Sequence, residues 1–337
     1  TFASANGNWA SAYGTSANAS GGAAIAFGAG SVSSGIGSIV LGTNASGTAN
    51  NSIVVGTEAE ASAANAIAIG IEAVSNKINT TAVGTLSKAT GNYSSAYGTL
   101  ANANGGGSMA FGAGSLATGA GSIAHGVNST ATAINAVVFG TEAGALAEDA
   151  TAIGYSAVAL GVDSTAIGKK STASKLNATA LGAESKATGI SSTALGDAAY
   201  ASALRAIAVG AAARSSAQSS TAIGSAANAS ALGALAIGTL SNATATDSIA
   251  IGYQSNSKYA NSTAIGAESA TSRADQIMLG KAATEVTVAN LANGSQAGNA
   301  IVTANEDGTL SRYEVGGSAL DSLTCVGNGT NAVCYGP

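Results

Sequence analysis

Side chains able to do chemistry are few in this chain. His125 is the one histidine, and it occupies a slot that is bulky and apolar elsewhere, immediately before Gly126. We therefore predict a packing role for its ring, with an anion or metal site formed by several copies of the chain as the alternative. Glu148 and Asp149 lie side by side without a further cluster of acids around them, so the sequence does not support paired-carboxylate catalysis.

Motifs that hold cofactors are missing from the sequence. Glycine pairs such as the one at 112–114 lack the G-x-G-x-x-G spacing and the strand-to-helix context of a phosphate loop. The G-G-x-G-x-D calcium repeat of other β-rolls does not occur. A net charge of −5 gives no basic stripe for phosphate groups. We accordingly predict a protein that is not an enzyme, holds no cofactor or metal, and has no nucleic-acid partner.

The elements that position these side chains follow a strict period. A glycine returns every fourteen residues from Gly14 to Gly280, without one insertion. Such a period is typical of one short supersecondary unit stacked on itself. Only 4% of residues are aromatic and 9% charged, whereas 46% are apolar, so we predict an ordered stack with a thin core of small side chains.

Each repeat contains two predicted strands with different faces. Ile67 and Ile69, three and one positions before Gly70, are bulky, whereas the alternate positions 66 and 68 are alanine. After each glycine, small residues three and five positions on alternate with polar ones. We predict two strands of about five residues that meet through their small faces. Two tight turns rich in Gly, Asn and Ser join them, with Asn242 among the turn residues.

The bulky residues before the glycines form an apolar stripe along the stack. Twenty coils spaced by ~4.8 Å extend over roughly 95 Å, and a stripe of that length, on the order of 1,000 Å², exceeds what a soluble monomer normally exposes. None of the 29 charged residues, 12 basic and 17 acidic, lies within the four positions before a repeat glycine. The stripe therefore predicts self-association of the chain.

The motif at 66–70, 248–252 and 262–266, followed by small-x-small, resembles the head repeats of trimeric autotransporter adhesins, the YadA-like family of Gram-negative bacteria. The resemblance covers residues 1–281. It implies an all-β fold, a left-handed parallel β-roll solenoid of 14-residue coils assembled as a parallel homotrimer. It also implies a bacterial cell-surface location, with an outer-membrane anchor in a C-terminal part that this chain lacks.

We predict three segments: the head at 1–281, a β capping or connector segment at 282–316, and a Gly- and Asn-rich segment at 317–337. The second segment contains a predicted hairpin about an Asp-Gly turn at 307–308. Cys325 and Cys334 are the only cysteines. One disulfide between them is the simplest pairing in an exported protein, with free thiols or bonds between chains as alternatives.

The strand faces and the resemblance together assign two surfaces. The predicted trimer interface consists of residues immediately before the glycines: Ile69, Ile153, Ile167, Leu181, Ile223, Ile251, Ile265 and His125. The predicted adhesive surface lies on the second strand and the turns: Glu142, Glu184, Lys186 and Arg214.

The resemblance implies a non-enzymatic adhesive head that attaches to host matrix proteins such as collagen, to other cells or to abiotic surfaces, and that mediates cell aggregation. We predict that it binds through its polar outer face. The resemblance to the family also implies roles in virulence and biofilm formation. An ice-binding or purely structural spacer β-solenoid is the alternative. The threonines three positions before the glycine, Thr151 and Thr165 among them, are predicted on the buried face, which argues against ice binding.

Overall fold

The structure is a computed structural model that describes residues 2–281 and, beyond them, the strands at 300–304, 310–314, 324–326 and 333–335. The chain divides into two compact units, 1–282 and 283–337. Each unit is described by itself.

The first unit is built from parallel coils with two strands in each, and the strands before the glycines form the apolar sheet. Every strand of this sheet has three residues, and each strand between the first and the last pairs in parallel with the strands fourteen residues before and after it, as Ile167 does with Ile153 and Leu181. Its twenty strands are Ser11–Tyr13, Ile25–Phe27, Ile39–Leu41, Ile53–Val55, Ile67–Ile69, Thr81–Val83, Ser95–Tyr97, Met109–Phe111, Ile123–His125, Val137–Phe139, Thr151–Ile153, Thr165–Ile167, Thr179–Leu181, Thr193–Leu195, Ile207–Val209, Thr221–Ile223, Leu235–Ile237, Ile249–Ile251, Thr263–Ile265 and Ile277–Leu279.

The strands after the glycines form the polar sheet, in which successive strands also pair in parallel. Each has two residues, of which the first faces outward and the second faces the core. Its nineteen strands are Ser4–Ala5, Asn18–Ala19, Val32–Ser33, Ser46–Gly47, Glu60–Ala61, Val74–Ser75, Lys88–Ala89, Asn102–Ala103, Leu116–Ala117, Thr130–Ala131, Gly144–Ala145, Val158–Ala159, Thr172–Ala173, Lys186–Ala187, Tyr200–Ala201, Arg214–Ser215, Asn228–Ala229, Asn242–Ala243 and Asn256–Ser257.

This arrangement confirms the predicted all-β stack of about twenty parallel coils, but its strands are shorter than the five residues predicted. The turns use the remaining residues, and their amides also bond between coils: Lys170 N donates to Tyr155 O at 2.8 Å, and Glu184 N donates to Lys169 O at 2.8 Å. Hydrogen bonding therefore continues through the turns. No helix occurs among the residues described, hence none of a length and hydropathy that could cross a membrane.

The core between the two sheets holds alanine and serine, as predicted from the small faces. Ala166, Ala180 and Ala187 are completely buried. Many buried serines satisfy their hydroxyl by bonding back three residues, as Ser192 Oγ does to Gly189 O at 2.7 Å. A hydroxyl that donates to a carbonyl at this distance costs little free energy to bury. Either serine or alanine can therefore occupy these core positions.

The repeat glycines are required by their backbone. At Gly154 φ is +128°, and a Cβ atom placed there would lie 2.7 Å from both the carbonyl carbon and the oxygen of Gly168 in the next coil. Glycine is therefore stacked directly on glycine along the solenoid. Any side chain at this position would be strained by its φ and would collide with backbone that has no room to move.

The second unit contains two antiparallel strand pairs in the described residues. Ala300–Ala304 pairs with Leu310–Glu314, at the place of the predicted hairpin, and the predicted Asp-Gly turn at 307–308 lies outside the described residues. Thr324–Val326 pairs with Val333–Tyr335, which sets Cys325 directly opposite Cys334 in the backbone register. The disulfide between them stays a prediction.

Candidate functional site

Bulky side chains cover the outward face of the apolar sheet. Phe27 is 53% exposed and Leu181 is 42% exposed in the single chain. Of the residues predicted for the trimer interface, Ile69, Leu181, Ile223, Ile265 and His125 are exposed, whereas Ile153, Ile167 and Ile251 are half-buried. The structure thus places all of them on one outward face. Their burial between copies of the chain stays a prediction.

A second apolar column, which sequence reasoning missed, lies in the turn that precedes the apolar sheet. Val162, Leu176, Ile190 and Leu204 occupy the same turn position in four successive coils, and each is exposed. The signal in the sequence is an apolar residue six positions before the glycine in each of these four coils. The apolar surface is therefore wider than the strand face alone.

His125 belongs to a column of aromatic rings on the apolar sheet. Its ring centroid lies 4.8 Å from that of Phe111 and 5.4 Å from that of Phe139, both rings being tilted. Tyr97 continues the column at 5.6 Å from Phe111. Tilted rings in contact at these distances favour the packing role predicted for His125. In the residues described, no three His, Cys, Asp or Glu side chains form a group suited to a metal ion.

The polar sheet displays one outward side chain from each strand, and these side chains stack in register. Asn228 Nδ2 donates to Asn242 Oδ1 at 2.8 Å, and Asn242 Nδ2 donates to Asn256 Oδ1 at 3.4 Å. Asn242 is thus a strand residue and not the turn residue that the sequence suggested. Its side chain bonds to its equivalents above and below, an interaction that appears only when the coils are aligned.

Asparagine and aspartate recur in the turn before the apolar sheet, a pattern that sequence reasoning also missed. Asn65 has φ of +58° and Asn135 has φ of +55°. Asn and Asp tolerate this left-handed conformation better than other side chains. Asn65 Nδ2 donates to Asn79 Oδ1 at 2.9 Å, and Asn135 Nδ2 donates to Asp149 Oδ1 at 3.0 Å. The signal in the sequence is Asn, Asp or Gly five positions before most of the repeat glycines.

Three of the four predicted adhesive residues come together in one shallow depression on the polar sheet. Glu184, Lys186 and Arg214 line it together with Tyr200 and Thr188, and it encloses about 460 Å³. Lys186, Tyr200 and Arg214 are consecutive in the register of the sheet. Sequence reasoning missed Tyr200, although it lies midway between Lys186 and Arg214 when the coils are aligned.

Glu142 lies outside this depression. It occupies the same turn position as Glu184, three coils earlier, and its Oε2 accepts a hydrogen bond from Ser156 Oγ at 3.0 Å. Both glutamates have a left-handed backbone, with φ of 59° at Glu142 and 55° at Glu184. The four predicted residues therefore share one side of the solenoid without forming a single site.

A two-faced solenoid, apolar on one sheet and polar on the other, is the class of protein that this geometry defines. The family described as the YadA head domain repeat (2 copies) matches the chain in segments between its first and last coils: 19–45, 48–73, 75–101, 89–115, 103–129, 117–143, 131–157, 145–171, 159–185, 187–213, 215–241 and 243–269. The chain belongs to this family, which confirms the predicted YadA-like head.

Solved structures are also similar to the chain. One of them is described as the crystal structure of the collagen-binding domain of Yersinia adhesin YadA, with 22% sequence identity, coverage of 65% of this chain and 82% of that chain, and a TM-score of 0.18. A search of curated proteins gave no match.

Proposed function

We propose that this chain is the non-enzymatic adhesive head of a bacterial surface fibre. In this proposal three copies form a parallel homotrimer of left-handed β-rolls, held at the cell surface by an outer-membrane anchor. The head attaches the bacterium to host matrix proteins such as collagen, to other cells or to abiotic surfaces, and so promotes aggregation and biofilm. Membership of the YadA head-repeat family supports this assignment.

The division of the solenoid into two faces carries the proposal. The apolar sheet exposes Phe27, Phe111 and Phe139, each more than 40% exposed in the single chain, at 53%, 52% and 42%. Copies of the chain would remove this surface from water. The polar sheet would then form the outside of the trimer. Its outward side chains repeat from coil to coil, so a ligand would be held by many weak contacts.

A binding assay with a block of substitutions tests the adhesive role. The head is measured against immobilised collagen, cultured cells and plastic, beside the variant E142Q/E184Q/K186Q/R214Q. Each single substitution should change attachment by no more than about twofold, whereas the block should weaken it at least about tenfold, because avidity multiplies small losses. Thermal unfolding should remain unchanged, since all four side chains are at the surface. Complete loss from one single substitution would contradict distributed binding.

The threonines three positions before the repeat glycines form a column, and this column is the observation that favours the ice-binding alternative. Thr151, Thr165 and Thr179 face outward on the apolar sheet and are half-buried in the single chain. They are covered only if copies of the chain pack on this sheet. An ice-recrystallisation assay separates the two functions: a trimeric head should show no activity. Activity in the assembled protein would favour ice binding, and a head that attaches to none of the three surfaces would favour a spacer.

A further inference from the structure

We infer that the depression around Tyr200 is a binding site for a linear anionic polysaccharide, carboxylated or sulfated, lying along the stack. This inference rests on the proposed adhesive function and names the chemistry of one partner. It starts from a local excess of positive charge in a chain whose net charge is −5.

The basic residues are concentrated in four coils. Six of the 12 Lys and Arg residues lie between 168 and 216, where only two acids occur: Lys169, Lys170, Lys175, Lys186, Arg205 and Arg214, against Glu184 and Asp197. Six minus two leaves a local charge of +4. Residues 89–141, by contrast, contain no Lys, Arg, Asp or Glu. The overall net charge of −5 predicts no basic stripe, because acidic residues elsewhere in the chain outweigh these six cations.

Four of these six cations lie either on the polar sheet or in the turn between the repeat glycine and that sheet. Lys169 and Lys170 follow the glycine of their coil directly, and Lys186 and Arg214 are outward residues of the sheet. All four are exposed. Within residues 2–281 the structure shows an ion pair only between Lys281 and Glu268, so neither Lys186 nor Arg214 is paired with a carboxylate. Their charges are available to a ligand.

The spacing suits a polymer that runs along the stack. Lys186 and Arg214 are two coils apart, which corresponds to about 10 Å between their backbones. Tyr200 lies between them in register, is half-buried, and lines the depression. Two cations with an aromatic surface between them match a chain of sugar rings that carries anions at intervals. The shallow, open shape admits a polymer from the side.

Glu184 lines the same depression and works against an anionic ligand. Its carboxylate is exposed, and it occupies the turn of the coil that bears Lys186. Its repulsion is screened over the Debye length of about 8 Å at physiological salt, but a ligand in contact with Lys186 lies within that distance. Neutralising Glu184 should therefore strengthen binding.

The test measures binding of the full chain to four probes: heparin, polygalacturonate, neutral dextran and poly-glutamate. We expect heparin or polygalacturonate to bind, and binding to weaken as salt rises from 50 to 200 mM. K186Q/R214Q should lower the affinity at least about tenfold, Y200A about threefold, and E184Q should raise it about twofold. Heparin without polygalacturonate would specify sulfate, and the reverse would specify carboxylate. Neutral dextran should not bind.

The matched control is K175Q/R205Q, which removes the same charge from the same coils. Lys175 and Arg205 lie in the turn before the apolar sheet, away from the depression. If both double variants lose affinity equally, attraction is general and the site is overturned. Absence of binding to both polysaccharides overturns it as well, and so does equal or tighter binding of poly-glutamate.

Different results would overturn the polysaccharide site and the adhesive role of the head. Attachment to collagen, cells or plastic that persists when neither polysaccharide binds would overturn the polysaccharide site alone. Polysaccharide binding by a head that attaches to none of the three surfaces would support the site and contradict the wider adhesive role.

Discussion

The repeat glycine is the residue on which the stack depends most. We expect Gly154→Ala to lower the free energy of unfolding by about 3 kcal/mol, because φ of +128° strains an L-residue and the new Cβ would lie 2.7 Å from Gly168. The control is Gly144→Ala, where the nearest atom to a new Cβ is 3.9 Å away. That variant should change stability by no more than about 0.5 kcal/mol. Equal thermal midpoints for both variants would contradict this account.

The ring of His125 lies between those of Phe111 and Phe139, and its role is either packing or an ion site formed by several copies of the chain. If its role is packing, adding zinc or phosphate at millimolar concentration should leave the thermal midpoint unchanged. A site formed by several copies would instead bind the ion and stabilise the folded state by mass action. His125→Leu serves as the control, since leucine occupies the equivalent slot at Leu181. A midpoint that rises with zinc or phosphate in the parent protein but not in His125→Leu would contradict the packing role.

At the scale of one coil, the small core fixes the volume that each position tolerates. Val40 replaces the usual alanine, and Gly47 lies where most coils have alanine or serine. A Cβ at Gly47 would lie 2.6 Å from Val40 Cγ2 and 2.9 Å from Ser52 Oγ. The large and the small residue therefore compensate each other within one core layer.

A double-mutant cycle tests this compensation. Gly47→Ala alone should cost about 1–3 kcal/mol through overpacking, and Val40→Ala alone about 1 kcal/mol through the cavity it leaves. The double variant recreates the alanine pair of other coils, so its loss should be clearly smaller than the sum of the single losses. Chemical denaturation of the four proteins measures the coupling. Strict additivity would show that the two residues do not share a layer.

At the scale of the whole molecule, the exposed apolar face determines the state of assembly. A chain of 31.7 kDa should sediment as a trimer of about 95 kDa, with no stable folded monomer, because the apolar sheet must be covered. Sedimentation equilibrium measures the mass directly. A folded species of the monomer mass would contradict the trimer.

A substitution on the same face tests which sheet makes the interface. Ile167→Asp should destabilise the assembly by several kcal/mol, because each copy would bury an unpaired carboxylate. Asn228→Asp adds the same charge on the polar sheet and should leave the assembly intact. Thermal unfolding and sedimentation of both variants give the comparison. If Asn228→Asp dissociates the protein instead, the two faces have been exchanged.

The sequence by itself determined the period, the parallel stack and the division of residues between core and surface. A fixed fourteen-residue register aligns equivalent positions, so alternation of small and large residues about Gly70 is enough to predict that Ala68 faces inward and Ile69 outward. The same fourteen-residue register brings Phe111, His125 and Phe139 into one column. Local pattern suffices for these features because each coil contacts only its neighbours.

The tertiary structure decided where strands end and which polar side chains meet. Strands end where the backbone enters turns with left-handed residues, which leaves three and two residues in the strands, although hydrogen bonds between coils continue through the turns. The same bonds place Asn242 in a strand and not in a turn. Side chains that share a surface are fourteen or more residues apart, so Lys186, Tyr200 and Arg214 meet only once three coils are stacked, whereas Glu142, with a similar local sequence, lies three coils from Glu184.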